Sequence, residues 1–358
     1  MKHIVLTGGG TAGHVTPNMA LVPRLRELGY EISYIGSKDG IEKKLISEMG
    51  IPYYGVSTGK LRRYLSLKNV SDPFKVLLGT AEARSVLKKI RPDVVFSKGG
   101  FVAVPVVTAA SRLGIPAIIH ESDMTPGLAN RLCISKAVKV CCNFPETAAY
   151  LPADKAVVSG TPIREELMNG SAEKAREFCG FTAEKPVILA VGGSLGSVAI
   201  NNAIRSNLPA LLEKYQVIHL CGKGNLDPSL DGTPGYVQYT FIKKELADLF
   251  ALADLVVSRA GANAICELCA LAKPNLLIPL SAAASRGDQL LNAASYEKQG
   301  FSMVLQEEDI TPERFLSDID RLYENREEFI TKMKNSSSGD SIGTILTLIE
   351  ECADHQEK

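Results

Sequence analysis

Two stretches of this chain open alike, and that shared opening restricts the fold more than any other feature. Ile4-Val5-Leu6-Thr7 runs into Gly8-Gly9-Gly10, and Ile188-Leu189-Ala190-Val191 runs into Gly192-Gly193-Ser194. Each is a short apolar run that breaks at glycines and hands over to a helical period, 16–28 in one case and 197–214 in the other. Strand, glycine turn and helix form the start of a Rossmann-like unit, so the duplication predicts two of them. Strands are expected at 3–7, 31–35, 93–96, 117–120 and 139–142, then at 187–191, 216–220, 236–239, 255–258, 275–278 and 302–305. Helical patterns fill the gaps, among them 73–90, 244–252, 262–271 and 288–299. That alternation is the mark of an α/β architecture with parallel sheets.

The expected domains are 1–163 and 164–339, parted by Gly160-Thr161-Pro162. A second break at 335–339 precedes a last helix, and residues 340–358 are expected to return to the first domain. A chain of 358 residues, 45% apolar and 22% charged, has the material for two cores and excludes disorder. No window approaches the roughly 18 apolar residues of a membrane span. The apolar run behind Met1-Lys2-His3 is too short for a signal sequence, so a cytoplasmic protein is expected. Its eight cysteines then read as reduced thiols, and Cys266-x-x-Cys269 as buried small hydrophobes rather than a metal or redox pair.

Open α/β sheets bind ligands beyond the carboxyl ends of their strands, so two facing sheets predict a cleft lined by strand-to-helix loops. In the first loop, Gly8 to His14, glycines let backbone amides approach an anion near a helix start. The spacing is not that of a dinucleotide fingerprint, and Tyr34-Ile35-Gly36 offers no ribose-reading carboxylate at the second strand end, which argues against a nicotinamide oxidoreductase. His14 is placed to accept a proton; a capping histidine is the plainer reading. His120 is read as orienting or packing. Ser194 adds a hydroxyl to the second loop, and Arg164 offers a fork for oxygens or is an ordinary linker arginine. Glu267 can accept from paired hydroxyls, or serve the helix dipole. Asp288 and Gln289 suit sugar hydroxyls, with an N-cap as the alternative for Asp288. Asp318-Ile319-Asp320 reads as a solvated helix face.

Taken together, GGGTAGH (8–14), SKGGFVAVP (97–105), HESDMTPGLANR (120–131), GTPIR (160–164), GGSLG (192–196), RAGANAICE (259–267) and RGDQLLNA (286–293) resemble the peptidoglycan N-acetylglucosaminyltransferases of glycosyltransferase family 28. The resemblance covers nearly the whole chain in order. It implies the GT-B fold and inverting transfer of N-acetylglucosamine from UDP-N-acetylglucosamine to lipid I, giving lipid II. It also implies no cofactor, no active-site metal and no nucleic-acid partner. Catalysis is expected to depend on His14, as base, and on Glu267, at the ribose. Donor contacts are expected from Thr11, Ala12, Gly13, Arg164, Ser194, Ile242, Ala262, Asn263, Ala264, Ile265, Cys266, Asp288 and Gln289. Phe101, Asp123 and Asn130 are expected on the acceptor side. The resemblance leaves two related readings, a diacylglycerol galactosyltransferase and a UDP-N-acetylglucosamine 2-epimerase; a non-catalytic membrane scaffold is a further alternative.

Charge is unevenly spread. Residues 1–160 hold 21 Lys and Arg against 12 Asp and Glu, and residues 161–358 hold 19 against 28, so the halves carry +9 and −9. Segment 60–91 interleaves Lys60, Arg62, Arg63, Lys68, Lys75, Arg84, Lys88, Lys89 and Arg91 with apolar residues. That mixture suits a peripheral site on an anionic leaflet, and the lipid-borne acceptor implied above points to the cytoplasmic face of the membrane. An amphipathic helix whose apolar stripe is core is the competing explanation.

Overall fold

Every residue of β1 (His3–Thr7) is buried, because the strand runs through the middle of a parallel sheet covered on both faces. Alternation then sends its side chains to two different cores. Ile4 and Leu6 pack with Leu21, Leu25 and the late residues Ile345 and Ile349, while Val5 packs on the opposite face with Ala83, Leu87 and Val107. In this computed structural model the described residues are 1–59, 68–193, 195–282, 287–336 and 340–354, with the side chains of Ala12 and of residues 68–71 also left aside. Of the expected features, Lys60, Arg62, Arg63, Ser194 and Arg286 lie outside the described residues, and so do the side chains of Ala12 and Lys68.

The chain divides into two units, Met1–Arg164 with Asp340–Lys358, and Glu165–Gly339. Among the described residues the first unit carries a seven-stranded parallel sheet of β1, β2 (Glu31–Ser37), β3 (Tyr53–Val56), β4 (Val94–Ser97), β5 (Ala117–Glu121), β6 (Lys139–Cys142) and β7 (Ala156–Val158). Its order is β3-β2-β1-β4-β5-β6-β7. The second unit has a six-stranded sheet of β8 (Val187–Val191), β9 (Gln216–Leu220), β10 (Tyr236–Tyr239), β11 (Leu255–Ser258), β12 (Asn275–Leu277) and β13 (Met303–Val304), ordered β10-β9-β8-β11-β12-β13. Both are doubly wound. Strand order reverses between β1 and β4 in one sheet and between β8 and β11 in the other, and each glycine loop leaves the strand beside its reversal. Loops diverge at such a point and leave a crevice.

The last helix, Ser341–Asp354, belongs to the first unit. It buries Ile345, Leu346 and Ile349 against β1 and the helix Thr16–Glu27, each burial contributing about 2 kcal/mol. Ser341 Oγ donates to the Thr161 carbonyl at 2.8 Å, and Lys2 pairs with Asp354. No helix among the described residues is long and apolar enough to cross a membrane.

Four expectations change. Strands β3 and β7 were not legible, since both are short edge strands without a fully buried face. The period at 197–214 is two helices, Val198–Ser206 and Leu208–Lys214, because Pro209 starts the second and cannot continue the first. The helix Lys68–Ile90 begins earlier than expected, taking in Pro73. Asp318 is not on a solvated face: it is 2% exposed and accepts from Arg314 Nε and Arg321 Nη2, each at 2.9 Å. Asp320 accepts from Tyr215 and Lys214.

The core of the second unit holds a neutral histidine. His219 lies between the Tyr236 hydroxyl at 3.0 Å and Asn201 Oδ1 at 2.9 Å, and burial pushes its pKa down to about 4. The unfolded chain takes up that proton near pH 6.5 and the folded chain only near pH 4, so stability falls as pH drops through that interval. Denaturant melts of the wild type should weaken steadily from pH 6.5 to about 4, and His219→Gln should flatten that slope. A variant slope equal to the wild type's would remove His219 from the account.

Candidate active site

In the first unit the loops after β1 and β4 press together backbone to backbone. A Cβ on Gly100, which sits at φ +82°, would strike the carbonyl oxygen of Gly9, and one on Gly8 would meet the carbonyl of His14. Only glycine permits these approaches. Tyr34 donates to the Gly8 carbonyl at 2.8 Å, and buried Asn18 donates to Thr7 at 3.0 Å. The turn is thereby fixed before the helix Thr16–Glu27 begins, with Pro17 in its first turn.

His14 closes the short 3₁₀ turn Ala12–His14. Its Nδ1 lies 3.1 Å from the Lys98 carbonyl oxygen. A carbonyl only accepts, so Nδ1 carries the proton and Nε2 keeps a lone pair. Burial, aided by the Lys98 cation, holds His14 below the ordinary imidazole range. At neutral pH the ring is therefore an uncharged base.

The same loop also meets a buried carboxyl group. Its Gly10 amide donates to the carboxyl group of Glu42 at 3.3 Å, and Glu42 also accepts from the Ser37 amide at 2.9 Å and from the Ser37 hydroxyl. Glu42 is fully buried, and a Cβ on Gly9 would run into it. The Gly10 amide of this loop is thus engaged by a side chain of the same unit.

The other expected residues of this unit have distinct surroundings. Thr11 is exposed and accepts from the His14 amide at 3.1 Å, while Gly13 and Phe101 are half-buried. Asn130 is 6% exposed and braces the end of β5, donating to the His120 carbonyl at 3.0 Å and to Glu121 at 2.9 Å. Asp123 is half-buried, its amide held by Glu121. Arg164 ends the unit with its Nε buried and without a partner among the described residues.

The second unit has an open-mouthed cavity of about 130 Å³ at the carboxyl ends of β8, β9, β10 and β11. Val191, Gly193, Leu220, Ser258 and Leu268 form its walls, and Phe241 and Ile242 stand in the loop after β10. Glu267 supplies its carboxyl group, with Ala264 and Leu268 on the same face of the helix Ala262–Ala270. Gly261, with no side chain to cap that helix, leaves its N-terminus to other partners. The glycines of the preceding loop serve packing: a Cβ on Gly196 would strike the Cys221 carbonyl, and one on Gly222 would strike Gly196.

Several predicted donor contacts gather here and others do not. Ile242, Ala264 and Glu267 line the cavity. Ala262, Ile265 and Cys266 turn into the core, Cys266 Sγ meeting the Tyr296 hydroxyl at 3.5 Å, so their side chains leave the cavity to their neighbours. Asn263 is half-buried on the same helix. Burial pushes the Cys269 thiol up to about 11, in keeping with inert thiols. Gln289 accepts from the Leu280 amide at 3.0 Å, leaving its NH₂ group as the donor, and Asp288 opens the same helix, Asp288–Lys298. Sequence reasoning passed over Phe241, 60% exposed at the cavity. It also passed over Arg259, whose guanidinium forks onto Glu307 at 3.1 and 3.3 Å and donates to the Ile278 carbonyl. An aromatic directly after a strand was the available signal for the first; the partner of the second is 48 residues away and gave none.

Residues 4–142 match the glycosyltransferase family 28 N-terminal domain, and residues 187–345 match the family's C-terminal domain. A protein of Lachnoclostridium phytofermentans named UDP-N-acetylglucosamine--N-acetylmuramyl-(pentapeptide) pyrophosphoryl-undecaprenol N-acetylglucosamine transferase is 64% identical, covering 98% of this chain and 99% of its own. A protein of the same name from Lachnospira eligens is 62% identical over the same shares. Among solved structures, Acinetobacter baumannii MurG superposes with a TM-score of 0.78 at 28% identity, across 98% of this chain and 100% of its own.

The glycine contacts give a direct test. Gly100→Ala should lower unfolding free energy by about 2 kcal/mol or more, from strain at positive φ and the clash with Gly9. A denaturation midpoint equal to the wild type's would show that the two loops do not need this approach.

Proposed function

The chain belongs to glycosyltransferase family 28, and from that membership we propose that it transfers N-acetylglucosamine from UDP-N-acetylglucosamine to the muramyl 4-hydroxyl of lipid I, forming lipid II. The observation that carries the reading is the cavity of the second unit, with Glu267 and Ile242 in its wall, in a chain 64% identical along its length to a transferase named for that donor and acceptor. The galactosyltransferase and epimerase readings are not favoured by those relatives.

The chemistry assigns a task to each group. Uridine enters the cavity, with the exposed Phe241 ring available to stack on the flat base and Glu267 accepting from the ribose hydroxyls. Charge grows on the β-phosphate as its bond to the anomeric carbon breaks, and the uncapped N-terminus of the helix Ala262–Ala270 favours it. The acceptor hydroxyl attacks from the opposite face, giving inversion, as in other single displacements at a sugar. Its proton passes to Nε2 of His14, which is bare and uncharged. The Gln289 NH₂ group serves the donor sugar's hydroxyls.

Membrane attachment is part of the same proposal. On the helix Lys68–Ile90, Ala83 and Leu87 face the core while Phe74, Leu77 and Leu78 remain 70%, 63% and 54% exposed. Arg84 and Lys88, with Arg112 from the neighbouring helix, line a shallow groove beside Leu77. Apolar side chains ringed by cations support docking on an anionic leaflet.

Three measurements follow. A UDP-release assay with UDP-N-acetylglucosamine should show turnover with a short-chain lipid I analogue and none with diacylglycerol or without acceptor; His14→Ala should cost roughly a hundredfold or more in kcat while still binding UDP. Turnover surviving in that variant would remove His14 as the base. Glu267→Gln should weaken UDP binding roughly tenfold by calorimetry; unaltered affinity would place the ribose elsewhere. Arg84→Glu with Lys88→Glu should weaken partitioning onto anionic vesicles about tenfold or more, and unchanged partitioning would move the docking face off this helix.

A further inference from the structure

Lys98 follows β4 directly and is wholly buried, side chain included. A buried ammonium is costly unless surrounding groups hold it. Here Nζ reaches His120 Nδ1 at 2.8 Å and Ser122 Oγ at 2.6 Å. His120 Nε2 lies 2.8 Å from the Gly160 carbonyl, which can only accept, so Nε2 carries the imidazole proton and Nδ1 accepts from the ammonium. Desolvation and the Lys98 cation both keep His120 neutral. The residue therefore does two things at once. Its side chain is fixed to His120 of β5 and to Ser122, and through His120 to the loop that leads to Arg164, and its carbonyl is the acceptor for His14 Nδ1.

We propose that Lys98 is a positioning residue for His14: its side chain, anchored on His120 and Ser122, holds its own carbonyl where it selects the Nδ1–H tautomer of the His14 ring. The inference rests on His14 being the base. It deepens that reading by naming what orients the ring and leaves Nε2 with its lone pair. The charged and titratable groups facing His14 are few. Burial first and then Lys98 lower its proton affinity, while the Lys98 carbonyl and Glu42, from the first turn of the helix Ile41–Ser47, raise it. His120, the third titratable neighbour, stays neutral. Lys98 is thus the cation of the set, and its removal has a defined sign: the acid limb of activity moves up in pH.

The test uses the full chain. Long-range ¹H–¹⁵N spectra of the His14 ring, assigned by loss of its signals in His14→Gln, should show the Nδ1–H form in the wild type. Both the ring titration and the acid limb of kcat/KM should move to higher pH by roughly half a unit or more in Lys98→Met. They should stay at the wild-type position in Lys98→Arg, which retains the charge. Lys98→Gln keeps a donor for His120 and Ser122, and it provides the same reading if Lys98→Met does not fold. A residue that merely fills space would lower the rate at every pH and leave the limb where it was. An Nε2–H tautomer in the wild type, or unshifted titrations in Lys98→Met and Lys98→Gln, overturns the proposal. If His14→Gln retains transfer, the base assignment fails, yet the ring titration still reports whether Lys98 governs His14.

Discussion

The site in the first unit depends on two backbones meeting without side chains between them. Gly9 and Gly100 touch where the strand order reverses, and that contact sets the distance between the β1 and β4 loops. With any Cβ there the loops would part, and His14 Nδ1 would lose the Lys98 carbonyl that orients it. The second unit uses the same device, Gly196 and Gly222 bringing the β8 and β9 loops together at the edge of its cavity. In both halves the sheet supplies the frame, and glycine decides how closely the frame's loops converge.

Duplicated architecture has diverged in electrostatics. The first glycine loop closes on an internal carboxyl group, Glu42, while buried Lys98 lends its carbonyl to His14. The second unit leaves a largely apolar cavity with one carboxyl group, Glu267, and a helix start without a side-chain cap. In the proposed function one half handles proton transfer and the other the nucleotide.

The parallel α/β character, both glycine loops and most central strands were legible because central strands are continuous apolar runs and glycine turns punctuate them. Edge strands β3 and β7 were not, since a short half-exposed strand has neither a run nor a clean alternation. Of the site, His14 and Glu267 were readable as polar residues directly after glycine turns or at helix starts. Glu42 was not: its contact with Gly10 spans 32 residues and has no local signature. Lys98 lay in plain view inside a motif, yet its burial is a tertiary fact. Asp318 shows the converse error, for an acidic helical stretch reads as solvated until two arginines fold over it.

The account assigns the nucleotide to the second unit and proton transfer to the first, and one structure tests that division. Crystals grown with UDP-N-acetylglucosamine should show uridine in the cavity lined by Phe241, Ile242 and Glu267, with the Gly10 amide still bonded to Glu42. Nucleotide phosphates seated on the Gly8–Gly10 loop, with Glu42 displaced, would contradict it.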